Sequence, residues 1–496
     1  MLSSPFRRAF VSLFLVVFCV GCRSEDKTKE PVAGASSSAP TETIRVAIGT
    51  QDTTINCATG GPIVRELHLL EKFLPHTGKY AHASYDVQWE NQPTGAQLNS
   101  KYLADQLDIV QMADFPSVLG ATAMKAAGNG VHSLYIANLS GGVNGAGNAI
   151  VVPTSSPVQS LSELKGKRIS VPFGSTAHAM LIRALQDLGW DPNRDVEIVT
   201  QTPEVAGSAL KANQIDAHAD FVPFGELFPF RGFARKIYDG SSTGVTTTHG
   251  VQVRSDYAEK YPEIVVAYLE ATLEADKLFR DDPEGLSEKL AKWTGVDAEV
   301  YYAFHGPQGI QTRDYTLKPE YVNAIKKAQE SLKVLKKVSQ EIDVGEYVDD
   351  RFIREAAKAY GLDYDARLKD YAPLPFKGDA FDTGAPVKDP NAAGQLWVKG
   401  EPKVRLYSTV PATFGALADL ESHGQQTRVV FVHDRLSGNK LFADKVWYVV
   451  KGDDASAFLL KDVARDFARK NGGEVVDYAT ARRTAVKKTA SAAEPK

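Results

Sequence analysis

The chain has 496 residues, 43% of them hydrophobic and 24% charged, with a formal net charge of -4. That length exceeds a single hydrophobic core and predicts about two to four domains. So small a charge over so long a chain excludes nucleic acid as the main partner, since phosphate binding needs a basic face.

Arg7 and Arg8 precede an apolar run, 9–20, that is too short to span a bilayer, as in a secretory leader. Val20-Gly21-Cys22 resembles the lipobox of bacterial lipoproteins, with Cys19 where Leu is usual. The resemblance implies cleavage before Cys22 and lipidation of its thiol. It places the protein on the periplasmic side of the cell envelope, anchored to a membrane. The alternative is an ordinary secretory leader cleaved nearby. Residues 1–22 are read as signal peptide and 23–43, rich in Lys, Glu, Ser, Ala and Pro, as a flexible tether. Once the leader is removed, Cys57 has no internal thiol to pair with, so it is either buried and inert or a soft ligand.

Residues 44–49 (IRVAIG) read as an apolar strand of the parallel type. A loop of small and polar residues, 50–61, leads to a helix over 63–74. A strand at 85–89, a helix near 96–105 and a strand at 107–112 follow, and 113–116 opens another helix. Gly141, Gly142, Gly145 and Gly147 make a glycine-rich stretch, but no GKS or GKT follows. It reads as a flexible link into a second lobe.

The stretch 167–221 is the most informative. A strand at 169–171 ends on Pro172, and Gly174 and Ser175 then form a loop and a helix cap. Leu181, Leu185 and Leu188, spaced by four and three, make one apolar stripe. A second strand, 196–199, and a helix through 206–211 complete a strand-helix-strand-helix unit with parallel strands. A helix N-terminus at a strand's carboxyl end is a ready anion site. Ser175, Thr176 and His178 lie in that first turn, where Ser175 as a plain cap is the simpler reading.

Asp191-Pro192, Asp195-Val196-Glu197-Ile198 and Leu210 with Ile215-Asp216-Ala217 follow one another closely. With Asp108-Ile109-Val110, the strand 246–254 and Tyr261-Pro262-Glu263, they resemble the nitrate/sulfonate/taurine class of ABC-transporter solute-binding proteins. The resemblance implies two lobes joined by crossing strands, with a cleft that closes by hinge motion. It also implies a small-molecule anion and an ABC-transporter permease as partners. Candidate ligand residues are Asp52, Thr53, Thr54, Asp114, Ser175, Thr176, His178, Phe221, Glu226 and His249. By position, His178 resembles the histidine that nitrate-type members place against their oxyanion. Trp89, Phe115 and Phe221 could instead wall a heteroaromatic ring.

Cys57, His178, His218 and His249 are donors that would suit copper, but their spacing has no metal signature. Scattered histidines, including His68, His76 and His82, are ordinarily satisfied one by one. No metal or cofactor is expected, with copper as the alternative.

A Pro/Gly/Asp-rich linker, 371–395, precedes a further domain over 396–480. Strands at 404–407, 429–431 and 446–450 and a helix at 461–471 are expected there. The runs 443–450 and 466–475, with Val432-His433-Asp434, resemble the NosL family, small lipoproteins that deliver copper(I) to nitrous oxide reductase. Yet 451–460 (KGDDASAFLL) lacks that family's Met, and 396–480 has neither Cys nor Met. His423 and His433 remain as donors. The tail 481–496, basic and then Ala/Ser-rich, is expected to be disordered.

The fold class is therefore α/β, a two-lobed periplasmic-binding-protein fold of the type II kind with a hinge, plus a small α+β C-terminal domain. Lobe one covers about 44–150 and 245–370, and lobe two about 151–244. The expected function is a lipoprotein receptor that delivers an oxyanion, nitrate or an alkanesulfonate, to an ABC transporter. The alternatives are a copper-handling accessory protein of nitrous oxide reductase and a pyrimidine-precursor binding or processing protein. No GxSxG, HExxH, P-loop or paired-Cys motif supports an enzyme.

Overall fold

A computed structural model describes residues 42–142, 145–338 and 340–493. The expected leader, the lipidation site Cys22 and the tether up to residue 41 lie outside them. The strands in chain order begin with β1 (Glu42–Thr50), β2 (Ala83–Asn91), β3 (Ile109–Ala113) and β4 (Ser133–Gly142). The chain then crosses to β5 (Ala149–Pro153), β6 (Arg168–Val171), β7 (Glu197–Thr200), β8 (Ala217–Asp220) and β9 (Ala234–Asp239). It returns through β10 (Thr247–Arg254) and β11 (Thr312–Arg313).

These strands form two sheets, one per lobe, ordered β11-β4-β10-β3-β1-β2 and β7-β6-β8-β5-β9. β1 lies parallel to β2 and β3, and β6 parallel to β7 and β8. The returning strand β10 is antiparallel to both β3 and β4. Helices cover the sheets, so strands such as β4 and β5 are buried along their whole length, and β5 (AIVVP) reads as an unbroken apolar run.

Three local expectations change. The single helix expected over 63–74 is broken into Pro62–Glu66 and Leu70–Phe73, because His68 between them takes a left-handed φ of 50°. In the helix Thr176–Asp187, Leu181 and Leu185 are buried. Leu188 is the C-cap, outside the stripe, and stands 40% exposed. The tail is helical over Tyr478–Ala493 rather than disordered from 481, since Ala481 and Ala485 pack into a core with Phe414 and Tyr448.

The two crossings between lobes run against each other. The Gly240 N–H donates to Asn148 O at 2.7 Å. Gly145 has a φ of +88°, and a Cβ there would lie 2.7 Å from Gly240 O, so only glycine allows so close a pass.

The C-terminal region holds β12 (Gly394–Val398), β13 (Arg405–Tyr407), β14 (Thr427–His433) and β15 (Lys440–Phe442) in the order β13-β12-β14-β15. A second sheet sets β16 (Trp447–Lys451) between β17 (Asp454–Phe458) and β18 (Glu474–Val476). Its seat on lobe one is Tyr302, fully buried, whose ring centroid lies 5.4 Å from Trp397 and 5.6 Å from Phe431. Gln395 Nε2 donates to the Tyr302 hydroxyl at 3.2 Å, and Arg428 pairs with Glu299 at 2.7 Å. Phe442 also meets Phe230 of lobe two, at 5.0 Å.

Tyr302→Ala removes the aromatic contact that seats the C-terminal region. It should destabilise the protein by about 3–5 kcal/mol, read as a lower denaturation midpoint. An unchanged midpoint would show that the seat lies elsewhere.

Candidate functional site

The carboxyl ends of β1, β3, β6 and β8 converge where the lobes meet, the usual ligand position in open α/β sheets. There they enclose an inner cavity of about 30 Å³. Its wall includes Thr54, Asn56, Asn148, Ser175, Thr176, Phe221, Thr248, His249 and Gln311 and, among the described residues, no Lys, Arg, Asp or Glu. An outer compartment of about 310 Å³ shares Asn148, Thr176 and Thr247 with it and adds Asp114, Phe115, Met180 and Leu335.

The inner wall is polar and under-satisfied. Thr54 Oγ1, Asn56 Oδ1, His249 Nδ1 and Gln311 Oε1 are buried without a hydrogen-bond partner. Such atoms ordinarily find partners, and leaving one unpaired costs about 1–3 kcal/mol. All four belong to residues that line this one cavity.

Ser175 caps the helix Thr176–Asp187: its Oγ accepts from His178 N–H at 3.2 Å and donates to Pro172 O at 2.6 Å. Its side chain is committed to the cap, while the helix's first N–H groups, which have no intrahelical partner, open at the cavity. Thr176 Oγ1 reaches across to Asn148 Oδ1 at 3.2 Å.

In lobe one the helix Asp114–Ala127 is plugged by its own first residue. Asp114 accepts from Phe115 N–H at 2.6 Å and Thr248 N–H at 3.0 Å. Burial, outweighing those two bonds, pushes its carboxyl up to about 7.

His249 enters from β10, where the pairing to β4 slips between His249 and Gly250 and re-aims the strand. Burial pushes its imidazole down to about 3, so the ring is neutral. Its Nε2 lies 3.6 Å from Cys57 Sγ. Burial pushes that thiol up to about 12, the reverse of an activated nucleophile.

The other sequence candidates lie apart from the inner cavity. Asp52 is consumed by Arg65 at 2.9 Å, and Thr53 does not line the cavity. His178 accepts from Gly174 N–H at 3.4 Å and stacks on Phe173 at 4.7 Å. Burial, then Lys337, pushes it down to about 4. Glu226 faces away from the cleft and pairs with Lys236, which also holds Asp239 at 3.0 Å. His218 is held in the lobe-two core by Ser170 and Asp220, each at 2.7 Å.

Cys57 and His249 thus form a pair that His178 and His218 do not join. Among the described residues no group of three or more His, Cys, Asp or Glu is placed to hold a metal ion. Asn56, Asn148, Thr248 and Gln311 are the residues that sequence reasoning missed. Asn148 and Gln311 flank the lobe crossings, and only the topology brings them to the cleft.

Residues 75–295 match the NMT1-like family. Over 253 residues the chain is 27% identical to an Escherichia coli (strain K12) protein named for binding aliphatic sulfonates, covering 50% of this chain and 73% of that one. It is 31% identical over 160 residues to the taurine-binding periplasmic protein of the same organism, covering 30% and 49%. The alkanesulfonate-binding protein SsuA from Xanthomonas axonopodis pv. citri, bound to MOPS, superposes with a TM-score of 0.50 at 22% identity, over 63% of this chain and 99% of that chain. The periplasmic nitrate-binding protein NrtA from Synechocystis PCC 6803 gives 0.50 at 16%, over 69% and 94%. The fold is that of the two-lobed periplasmic solute-binding proteins.

Asp114 makes stability depend on pH. Its folded value, about 7, lies above the ordinary aspartate value of 3.8, so between these the native state binds the extra proton. Stability from this group is greatest on the acid side and falls as pH rises toward 7 and above. Melting temperatures between pH 5 and 8 should therefore fall more steeply for the wild type than for Asp114→Asn; equal slopes would refute it.

Proposed function

We propose that the protein is an extracytoplasmic receptor that binds a small oxyanion in this cleft and passes it to an ABC transporter. The observation that carries the reading is the inner cavity: a neutral wall of unpartnered buried polar atoms at a helix N-terminus. The relatives named for sulfonates and taurine support it. A charged head group enters a site of fixed N–H and O–H donors, where each charge-assisted bond is worth more than a neutral one.

The two compartments favour an alkanesulfonate over nitrate. The sulfonate occupies the inner cavity, and the alkyl chain extends past Phe115, Met180 and Leu335 in the outer one. The receptor works on the periplasmic side, held to a membrane by a lipid on Cys22. The C-terminal region is a NosL-like domain with a structural role. Its two histidines support no copper site: His433 is buried with Nδ1 against Ala393 O at 3.1 Å, and His423 is exposed on a helix end.

Calorimetric titration with nitrate and with methane-, ethane- and butanesulfonate tests the ligand class. Saturable binding without consumption is expected, tightening about three- to fourfold per methylene, from roughly 0.8 kcal/mol each. No binding by any of these anions, or turnover of one, would sink the receptor reading. Equal affinity along the series would remove the alkyl preference alone.

The two cleft-region histidines should separate in the same assay. His249→Ala should weaken sulfonate binding about tenfold or more, as expected for losing one hydrogen bond to a charged group. His178→Ala should leave affinity within about twofold, because its ring is engaged by Phe173 and Gly174.

A further inference from the structure

Cys57 is not among the residues that line the inner or the outer compartment, yet it sits against His249, the histidine of the inner wall. A neutral imidazole carries a single proton on one of two nitrogens. In His249, a residue of the inner wall, Nε2 faces the sulfur at 3.6 Å and Nδ1 is buried without a partner among the described residues. If the proton is on Nε2, the cavity meets a lone pair, which repels an oxyanion. If it is on Nδ1, the cavity meets an N–H.

The surroundings of the sulfur choose between them. Cys57 is fully buried and free, so it carries its own proton. The Gln51 backbone N–H already interacts with the sulfur as a donor. The thiol hydrogen therefore needs an acceptor, and Nε2 is placed to accept it. The competing acceptor is Thr50 Oγ1, which gives its own hydrogen to Asp52 Oδ1 at 3.2 Å.

We propose that the Cys57 thiol donates to His249 Nε2 and so locks His249 as the Nδ1–H tautomer, presenting a neutral N–H donor to the oxyanion. Cys57 is then a positioning residue for ligand polarity, acting one side chain removed from the ligand. The ligand part rests on the receptor reading of the preceding section; the tautomer part does not.

Long-range nitrogen–proton correlation spectra of full-length, ligand-free protein labelled with [15N]histidine test this directly. Signals of His249 are assigned by their loss in His249→Gln. The wild type should show a protonated Nδ1 and an unprotonated Nε2. Cys57→Ser, which keeps an O–H donor, should retain that state and bind methanesulfonate within about twofold of wild type. Cys57→Ala, which keeps the volume nearly filled but offers no donor, should shift the ring toward Nε2–H and weaken methanesulfonate about three- to tenfold.

A protonated Nε2 in the wild type, with the thiol turned to Thr50, would overturn the proposal, as would a tautomer unmoved in Cys57→Ala. Failure of the receptor reading has a different signature: the tautomers behave as proposed, and no variant binds any of the four anions.

Discussion

Buried hydrogen-bonding groups demand partners, and this molecule leaves several unmet at one place. The constraint comes from topology. Strand ends from two sheets, a helix N-terminus and both lobe crossings must all close on the same cavity of about 30 Å³. Main-chain N–H groups at a helix start cannot be satisfied within the helix. Where a side chain of the protein itself fills the role, as Asp114 does in lobe one, the position is occupied. In lobe two Ser175 takes the His178 N–H, and the N–H groups of Thr176 and Ala177, which that cap does not take up, are open to a guest. The two lobes thus meet the same backbone problem to different degrees.

The electrostatics follow from that arrangement. Among the described residues no ionised side chain lines the inner cavity, so an anion there would be held by oriented dipoles and neutral donors rather than by a countercharge. The charged pairs of the neighbourhood are spent elsewhere. Arg65 serves Asp52, and Lys236 serves Glu226 and Asp239 in lobe two. A neutral site suits a receptor that must also release its cargo, since fixed charges in a water-poor cleft would hold an anion too firmly.

The strand-helix unit from β6 to β8 is legible in the sequence because each element announces itself locally. Examples are the Leu181 and Leu185 stripe, the Ser175 cap and the apolar strand before Pro172. Legibility weakens where a residue's role depends on distant partners. Asp52, Glu226 and His178 have the right chemistry and stand near the right loops. Yet Arg65, Lys236 and Phe173 engage them, and no local pattern records those pairings. Gln311 reaches the cleft from a segment that carries no motif. The helix Val410–Ser422 is likewise hard to see, since Pro411 near its start and Gly415 within it obscure a period that tertiary packing of Phe414 and Leu417 sustains.

The ring contact between Phe230 and Phe442 has a mechanical consequence. Phe230 belongs to lobe two, whereas Phe442 belongs to a region seated on lobe one through Tyr302 and Arg428. Any swing that parts the lobes must therefore slide or break a contact outside the cleft. A hinge between the lobes would be coupled in this way to the C-terminal region, through a ring pair that lies outside the cleft.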